Sequence, residues 1–317
     1  MTQNQLWQKD ADLSGFQMRP LHFSDDYDGK VLATLVKSNA NPNTSQAILY
    51  IHGYMDYFFQ PHLADAFIQN AYDFYSLDLR KYGRSLQDAK HPNFCFDLEE
   101  YFSEISEAIR IICEEENHRN LILMAHSTGG LTSSLYASQG DYRKYIKGLI
   151  LNSPFFDFNL PAVEKFGVGV LAQLATAFPF LSIQNKDPDP YMMSIHQSFH
   201  GEWDFSLEWR KPEGFPIYAG WLRAIQNAHQ RLRQGLNIAS PVLVMYADKS
   251  IYGKKYTPEF QTGDAVLDVK HIRDGCQYLG TNIQQVEIKD GLHDLILSRQ
   301  DVRDEVFKHI FLWLKQI

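Results

Sequence analysis

Short, uninterrupted apolar runs alternate along this chain with longer stretches whose apolar residues recur every three or four positions. The runs are AILYIHG (47–53), YDFYSLDL (72–79), LILMAHS (121–127), KGLILNS (147–153) and PVLVMYAD (241–248). Runs of this length without polar alternation predict strands buried on both faces of a sheet. QQVEIKD (284–290) is a further, more polar strand candidate. Between them, residues 96–116 carry Leu98, Phe102, Ile105, Ile109 and Ile112 at helical spacing, and residues 301–317 are amphipathic in the same way. Strands alternating with helices predict an α/β domain, a mostly parallel sheet with helices on both faces. FQMRPLHF (16–23) and VLATLVKS (31–38) flank the turn-rich SDDYDGK and predict an antiparallel hairpin at its edge.

From about Phe155 to Trp221 the alternation stops. This region holds a helical apolar stretch (163–178), then NKDPDPY, then FHGEWDFSLEW, and no convincing sheet strand. An insertion of this length predicts a helical cap over the carboxyl ends of the strands, where open α/β sheets bind ligands. The expected division is a core over 1–154, a cap over 155–221, and a second core part over 222–317.

Composition narrows the partners. The 317 residues are 44% hydrophobic, enough for a large core, and the formal charge of −8 includes no basic run, which argues against nucleic-acid binding. No apolar stretch reaches membrane-spanning length, and the first residues, MTQNQLWQKD, lack a signal-peptide pattern. Cys95, Cys113 and Cys276 are odd in number and far apart, as expected of reduced thiols in a cytoplasmic protein.

Ala125-His126-Ser127-Thr128-Gly129 is the first candidate for chemistry. The pentapeptide alone is unspecific, and Ser127 or Thr128 as an ordinary helix cap is the plain alternative. Its setting, after the strand LILM and before the helical LTSSLYAS, is that of a nucleophile elbow. Small residues two positions either side of the serine allow strand and helix to pass closely. A serine needs a base, and the base an orienting acid, in the chain order Ser, Asp or Glu, His. His22, His52, His62, His91, His118 and His126 precede Ser127, whereas His293 lies in a loop between the last strand and the terminal helix. Asp248, at the end of PVLVMYAD, and Asp264, sixteen positions later, both qualify as the acid. The backbone N–H groups of Tyr54 and Thr128 are the candidate oxyanion donors, with Gly53 permitting close approach and His52 as a brace. His196 and His200 have the spacing of metal ligands but no acidic companion motif, so no metal is expected there.

IHGYMD, LDLRKYGRS, AHSTGG and DGLHD, in this order, resemble the α/β-hydrolase superfamily, and within it the monoacylglycerol lipase and lysophospholipase-like serine hydrolases. The resemblance implies an eight-stranded, mostly parallel sheet with a cap, and a serine esterase acting through an acyl-enzyme with no metal or organic cofactor. It also implies that Asp264, in a DAVLD segment similar to the family's acid-bearing one, is the acid rather than Asp248, and that Arg80 is structural. Lys81 departs from the family pattern, which has glycine there. Cap aromatics, namely Phe155, Phe156, Phe158, Phe166, Phe178, Phe180, Trp203 and Trp209, are candidates for lining an acyl or aryl pocket, among them Phe155, Phe156, Trp203 and Trp209 as substrate contacts; gluing the cap to the core is the alternative. The expected partner is a small acyl ester. Rival readings are a peptidase or amidase, with Glu202, Asp204 or Glu208 receiving a substrate amino terminus; an acyltransferase; and a non-catalytic binding protein of the same fold.

Overall fold

The computed structural model describes residues 7–38, 44–160, 162–184 and 186–317, with the side chains of 162–166 left undescribed. Its strands are β1 (Gln8–Lys9), β2 (Phe16–Asp26), β3 (Gly29–Ser38), β4 (Gln46–Ile51), β5 (Asp73–Asp78), β6 (Asn120–His126), β7 (Ile146–Asn152), β8 (Ser182–Ile183), β9 (Ile217–Tyr218), β10 (Val242–Ala247) and β11 (Ile283–Ile288). Nine of them form one sheet in the order β1-β2-β3-β5-β4-β6-β7-β10-β11, parallel from β5 to β11 and antiparallel from β1 to β5. Among the described residues the sheet therefore has nine strands, where eight were expected. The addition is β1, two exposed polar residues paired with β2, which carry no hydrophobic pattern to read. β8 and β9 pair only with each other.

The helices are α1 (Pro61–Gln69), α2 (Phe102–Arg110), α3 (Ser127–Gln139), α4 (Ala162–Leu174), α5 (Pro190–Ile195), α6 (Ala219–Arg233), α7 (Val269–Gly275) and α8 (Gln300–Leu314). The single helix expected over 96–116 is subdivided. Asp97 caps a 3-10 turn at Leu98–Tyr101, α2 follows, and a π-helical turn closes it at Ile111–Glu115.

Side chains alternate across a strand, so each buried strand feeds two cores. Leu49, Ile51, Leu123, Ala125, Leu151 and Val244 pack on one face with residues of α2, α3 and α6. Ile48, Tyr50, Ile122, Met124, Ile150 and Met245 pack on the other, against α1 and α8. A third cluster holds Tyr57 and Phe59 after β4, Leu292 and Leu297 after β11, and Tyr191, Met192, Ile195 and Phe205 from the segment between β7 and α6. That segment therefore lies against loops at the carboxyl ends of the parallel strands. α6 begins at Ala219 and packs on both α3 and α4.

Candidate active site

β6 ends at His126 and α3 starts at the next residue, leaving no loop between them. Ser127 absorbs the reversal with a φ of +53°, a left-handed conformation that few non-glycine residues adopt and that marks a constrained site. The closeness of strand and helix explains the small neighbours. A Cβ on Gly129 would lie 2.2 Å from the carbonyl oxygen of His52, and one on Gly53 would lie 3.1 Å from Ser127 Cβ. His52 is a brace: its Nδ1 donates to the Gly53 carbonyl at 2.7 Å and its Nε2 accepts from the Leu79 N–H at 3.0 Å. Burial pushes its imidazole below the ordinary value, in keeping with a neutral ring that both donates and accepts.

His293 lies in the loop between β11 and α8. Its Nε2 is 3.0 Å from Ser127 Oγ and its Nδ1 is 2.9 Å from Asp264 Oδ2. The other carboxylate oxygen of Asp264 accepts from the N–H groups of Val266 and Leu267, both at 2.8 Å. Residues 249–263 loop out, and the chain returns beside β10 through a parallel bridge between Ser250 and Asp264. Asp264 N–H donates to the Lys249 carbonyl, and Ile251 N–H to that of Asp264. Asp248 faces elsewhere: its Oδ1 accepts from the Asp290 N–H at 2.8 Å, tying β10 to the turn after β11.

Thr128 is the second residue of α3, where backbone N–H groups have no intrahelical acceptor. Tyr54 follows Gly53 and stacks its ring on Trp221, centroids 4.0 Å apart. Ser127, Thr128 and His293 are 8%, 6% and 3% exposed, so this arrangement is a covered one. A surface groove of about 480 Å³ lies instead between Leu86, Pro92, Leu207 and Phe215, away from these residues.

The aromatics of the expected cap make contacts of several kinds. Phe155 and Phe156 belong to the main core, the Phe155 N–H donates to the Ser127 carbonyl, and the Phe155 ring meets Phe158 and His229. Trp203 stacks on His62 and donates to the Leu297 carbonyl. Trp209 packs edge-on against Tyr57. Among the described residues, no hydrogen bond or ring contact joins either tryptophan to Ser127 or His293. Phe180 stacks on His91, while Phe178 is exposed; the side chain of Phe166 lies outside those described. Of the acids considered for an amino terminus, Glu202 pairs with Arg303 at 2.5 Å and Glu208 lines the surface groove.

Arg80 is held by the buried Glu104 and the Glu100 carbonyl, a structural position. Lys81, where the resembling family has glycine, adopts φ +67° and reaches Asp26 and Asp28 at 3.1 and 3.0 Å. One group escaped sequence reasoning: Asp56, His126, Asp294 and Arg210, all buried and side by side. Burial opposes charge on His126, yet Asp294 and Asp56 raise its imidazole above the ordinary value. Burial would likewise push the Asp56 carboxyl up, but Arg210 and His126 hold it well below the carboxylate range. The readable signal was an acid inside each apolar run, in YMDYFF and LHDLIL.

Among the described residues no helix is long and apolar enough to cross a membrane. No curated protein matches the chain in sequence. Among solved structures, it is similar to a soluble variant of monoglyceride lipase from Saccharomyces cerevisiae in complex with a substrate analogue. The identity is 18%, the match covers 94% of this chain and 96% of that one, and the TM-score is 0.65. A monoacylglycerol lipase from Paleococcus ferrophilus matches at 19% identity over 94% and 98% of the two chains, with a TM-score of 0.63. Est1E from Butyrivibrio proteoclasticus, bound to ferulic acid, matches at 14% identity over 98% of each chain, with a TM-score of 0.55. At these identities the likeness speaks for the fold. The model of the family described as serine aminopeptidase, S33 matches residues 42–252, well over half of the chain, and the protein belongs to that family of α/β-hydrolase-fold serine hydrolases.

Proposed function

We propose that the protein hydrolyses carboxylic esters, with Ser127 as nucleophile, His293 as base and Asp264 as the acid that orients it. The observation carrying this reading is the unbroken hydrogen-bond chain from Ser127 Oγ through His293 to Asp264. His293 Nε2 takes the Ser127 proton as Oγ bonds to the ester carbonyl carbon. The N–H groups of Tyr54 and Thr128 receive the oxyanion. Collapse breaks the ester C–O bond, and the leaving alcohol takes the proton from His293. Water then repeats the sequence on the acyl-enzyme and frees the acid and Ser127. With one Asp264 oxygen occupied by two backbone N–H groups, the other stays aimed at Nδ1 and holds the tautomer that leaves Nε2 free.

The substrate class we favour is an acyl ester of the monoacylglycerol or lysophospholipid kind. The lipase structures similar to this chain support it, as does the apolar cluster beside His293. The cap over 155–221, flanked by core parts 1–154 and 222–317, would then cover the acyl chain, and the covered serine implies that it moves for substrate to enter. Three free cysteines, two of them buried, accord with a reducing cytoplasmic setting.

The family description favours one second reading, an aminopeptidase. Against it, Glu202 is already paired with Arg303. The deciding assay runs p-nitrophenyl esters from acetate to palmitate beside amino-acid p-nitroanilides, on wild type and Ser127→Ala. Ester turnover that vanishes in Ser127→Ala is the expected result. Anilide turnover without ester turnover would establish the peptidase, and failure of a fluorophosphonate to label the wild type would leave a binding protein.

A further inference from the structure

Arg210, Asp56, His126 and Asp294 form a chain of charge contacts beside the base. Arg210 Nη1 donates to Asp56 Oδ1 at 2.8 Å. Asp56 Oδ2 accepts from His126 Nδ1 at 3.3 Å, and that nitrogen lies 4.0 Å from Asp294 Oδ2. The His126 and His293 rings are 4.8 Å apart. Each member sits on a different part of the site: Asp56 on the loop carrying Tyr54, His126 immediately before Ser127, Asp294 immediately after His293. Arg210 comes from the segment between β7 and α6. That segment also supplies Tyr191, whose hydroxyl accepts from the Asp294 N–H at 3.0 Å and whose ring lies edge-on to His293.

Buried carboxylates are tolerated when paired, and removing one partner strands the other. Here the Arg210 guanidinium sets a permanent positive charge against Asp56, with Asp294 close by on the other side of His126. Asp294 Oδ1 also accepts from Asn152 Nδ2 at 2.6 Å, but without Arg210 the Asp56 carboxylate would keep only His126 of its two charged partners. Repulsion between the two carboxylates would then act on the residue next to the base.

We propose that Arg210 is a positioning residue for His293. By holding Asp56 it fixes His126, whose ring borders that of His293, so the base is aligned with Ser127 only while the segment bearing Arg210 is seated. This inference rests on the hydrolase reading above for its kinetic consequence, but the alignment itself has an independent readout.

The experiment compares wild type, Arg210→Ala and Arg210→Lys by p-nitrophenyl ester kinetics and by the downfield proton resonance of His293 Nδ1–H, assigned through its loss in His293→Gln. In Arg210→Ala, kcat should fall about a hundredfold, the scale of a small misplacement of a catalytic group, with KM little changed. The resonance should broaden or vanish. Millimolar guanidinium should restore both, ammonium should not, and Arg210→Lys should retain part of each. An unchanged resonance and kcat in folded Arg210→Ala overturns the proposal. So does a loss that neither guanidinium nor lysine repairs, since that is the mark of general disruption. If the wild type turned over no ester, the proposed function would fall, while the resonance would still decide whether Arg210 positions His293.

Discussion

At the residue scale, the two aspartates near the end of β10 differ in what their oxygens already hold. Asp264 spends one oxygen on two backbone N–H groups and points the other at His293, whereas Asp248 accepts from Asp290. Asp264→Asn keeps the shape but favours the wrong imidazole tautomer, so kcat should drop by about four orders of magnitude. Asp248→Asn should leave ester turnover near wild type. Measuring both with one p-nitrophenyl ester decides the assignment, and comparable losses in the two variants would refute it.

At the element scale, the junction of β6 and α3 depends on how closely α3 passes the end of β4. Gly129→Ala places a methyl group against the His52 carbonyl and must push α3 away from the loop that carries Tyr54. A loss of about 1–3 kcal/mol in urea unfolding is expected, together with slower fluorophosphonate labelling of Ser127. Lys81 makes the opposite case. Its left-handed backbone would suit glycine better, but its buried amine ties the β2–β3 turn through Asp26 and Asp28. Lys81→Met should therefore destabilise by about 3 kcal/mol, the scale of stranding buried charges. A neutral or stabilising result would mean that backbone strain is the larger effect.

At the scale of the whole molecule, the buried charges make stability depend on pH in two windows. His126 has its affinity for protons raised above the ordinary value of 6.5 by Asp294 and Asp56. Its contribution is full below 6.5 and is lost as pH rises through the higher folded value. Asp56 is depressed below its ordinary 3.8 by Arg210 and His126. Its contribution is present above 3.8 and disappears as pH falls toward the lower folded value. Urea unfolding across pH should therefore show the penalty of His126→Gln shrinking on the alkaline side, and that of Asp56→Asn shrinking in acid. A His126→Gln penalty that grows with pH would contradict this arrangement.

What the sequence determined by itself is what local pattern encodes. Short continuous apolar runs bounded by polar and turn residues favour strands buried on both faces, so β4, β6, β7 and β10 and the parallel sheet were legible. Small residues around Ser127, set between a predicted strand and a predicted helix, likewise made the tight turn legible. Tertiary structure alone decided what depends on distant partners. β1 exists because β2 offers an edge, and no pattern in Gln8–Lys9 announces it. Asp264 reaches His293 because the 249–263 loop returns through a bridge at Ser250, a closure that spacing does not specify. The Arg210–Asp56 contact joins residues 154 positions apart. Its strength is the Coulombic attraction of two charges in a low-dielectric interior, set against the cost of taking both out of water, and no short stretch of chain possesses such an interior.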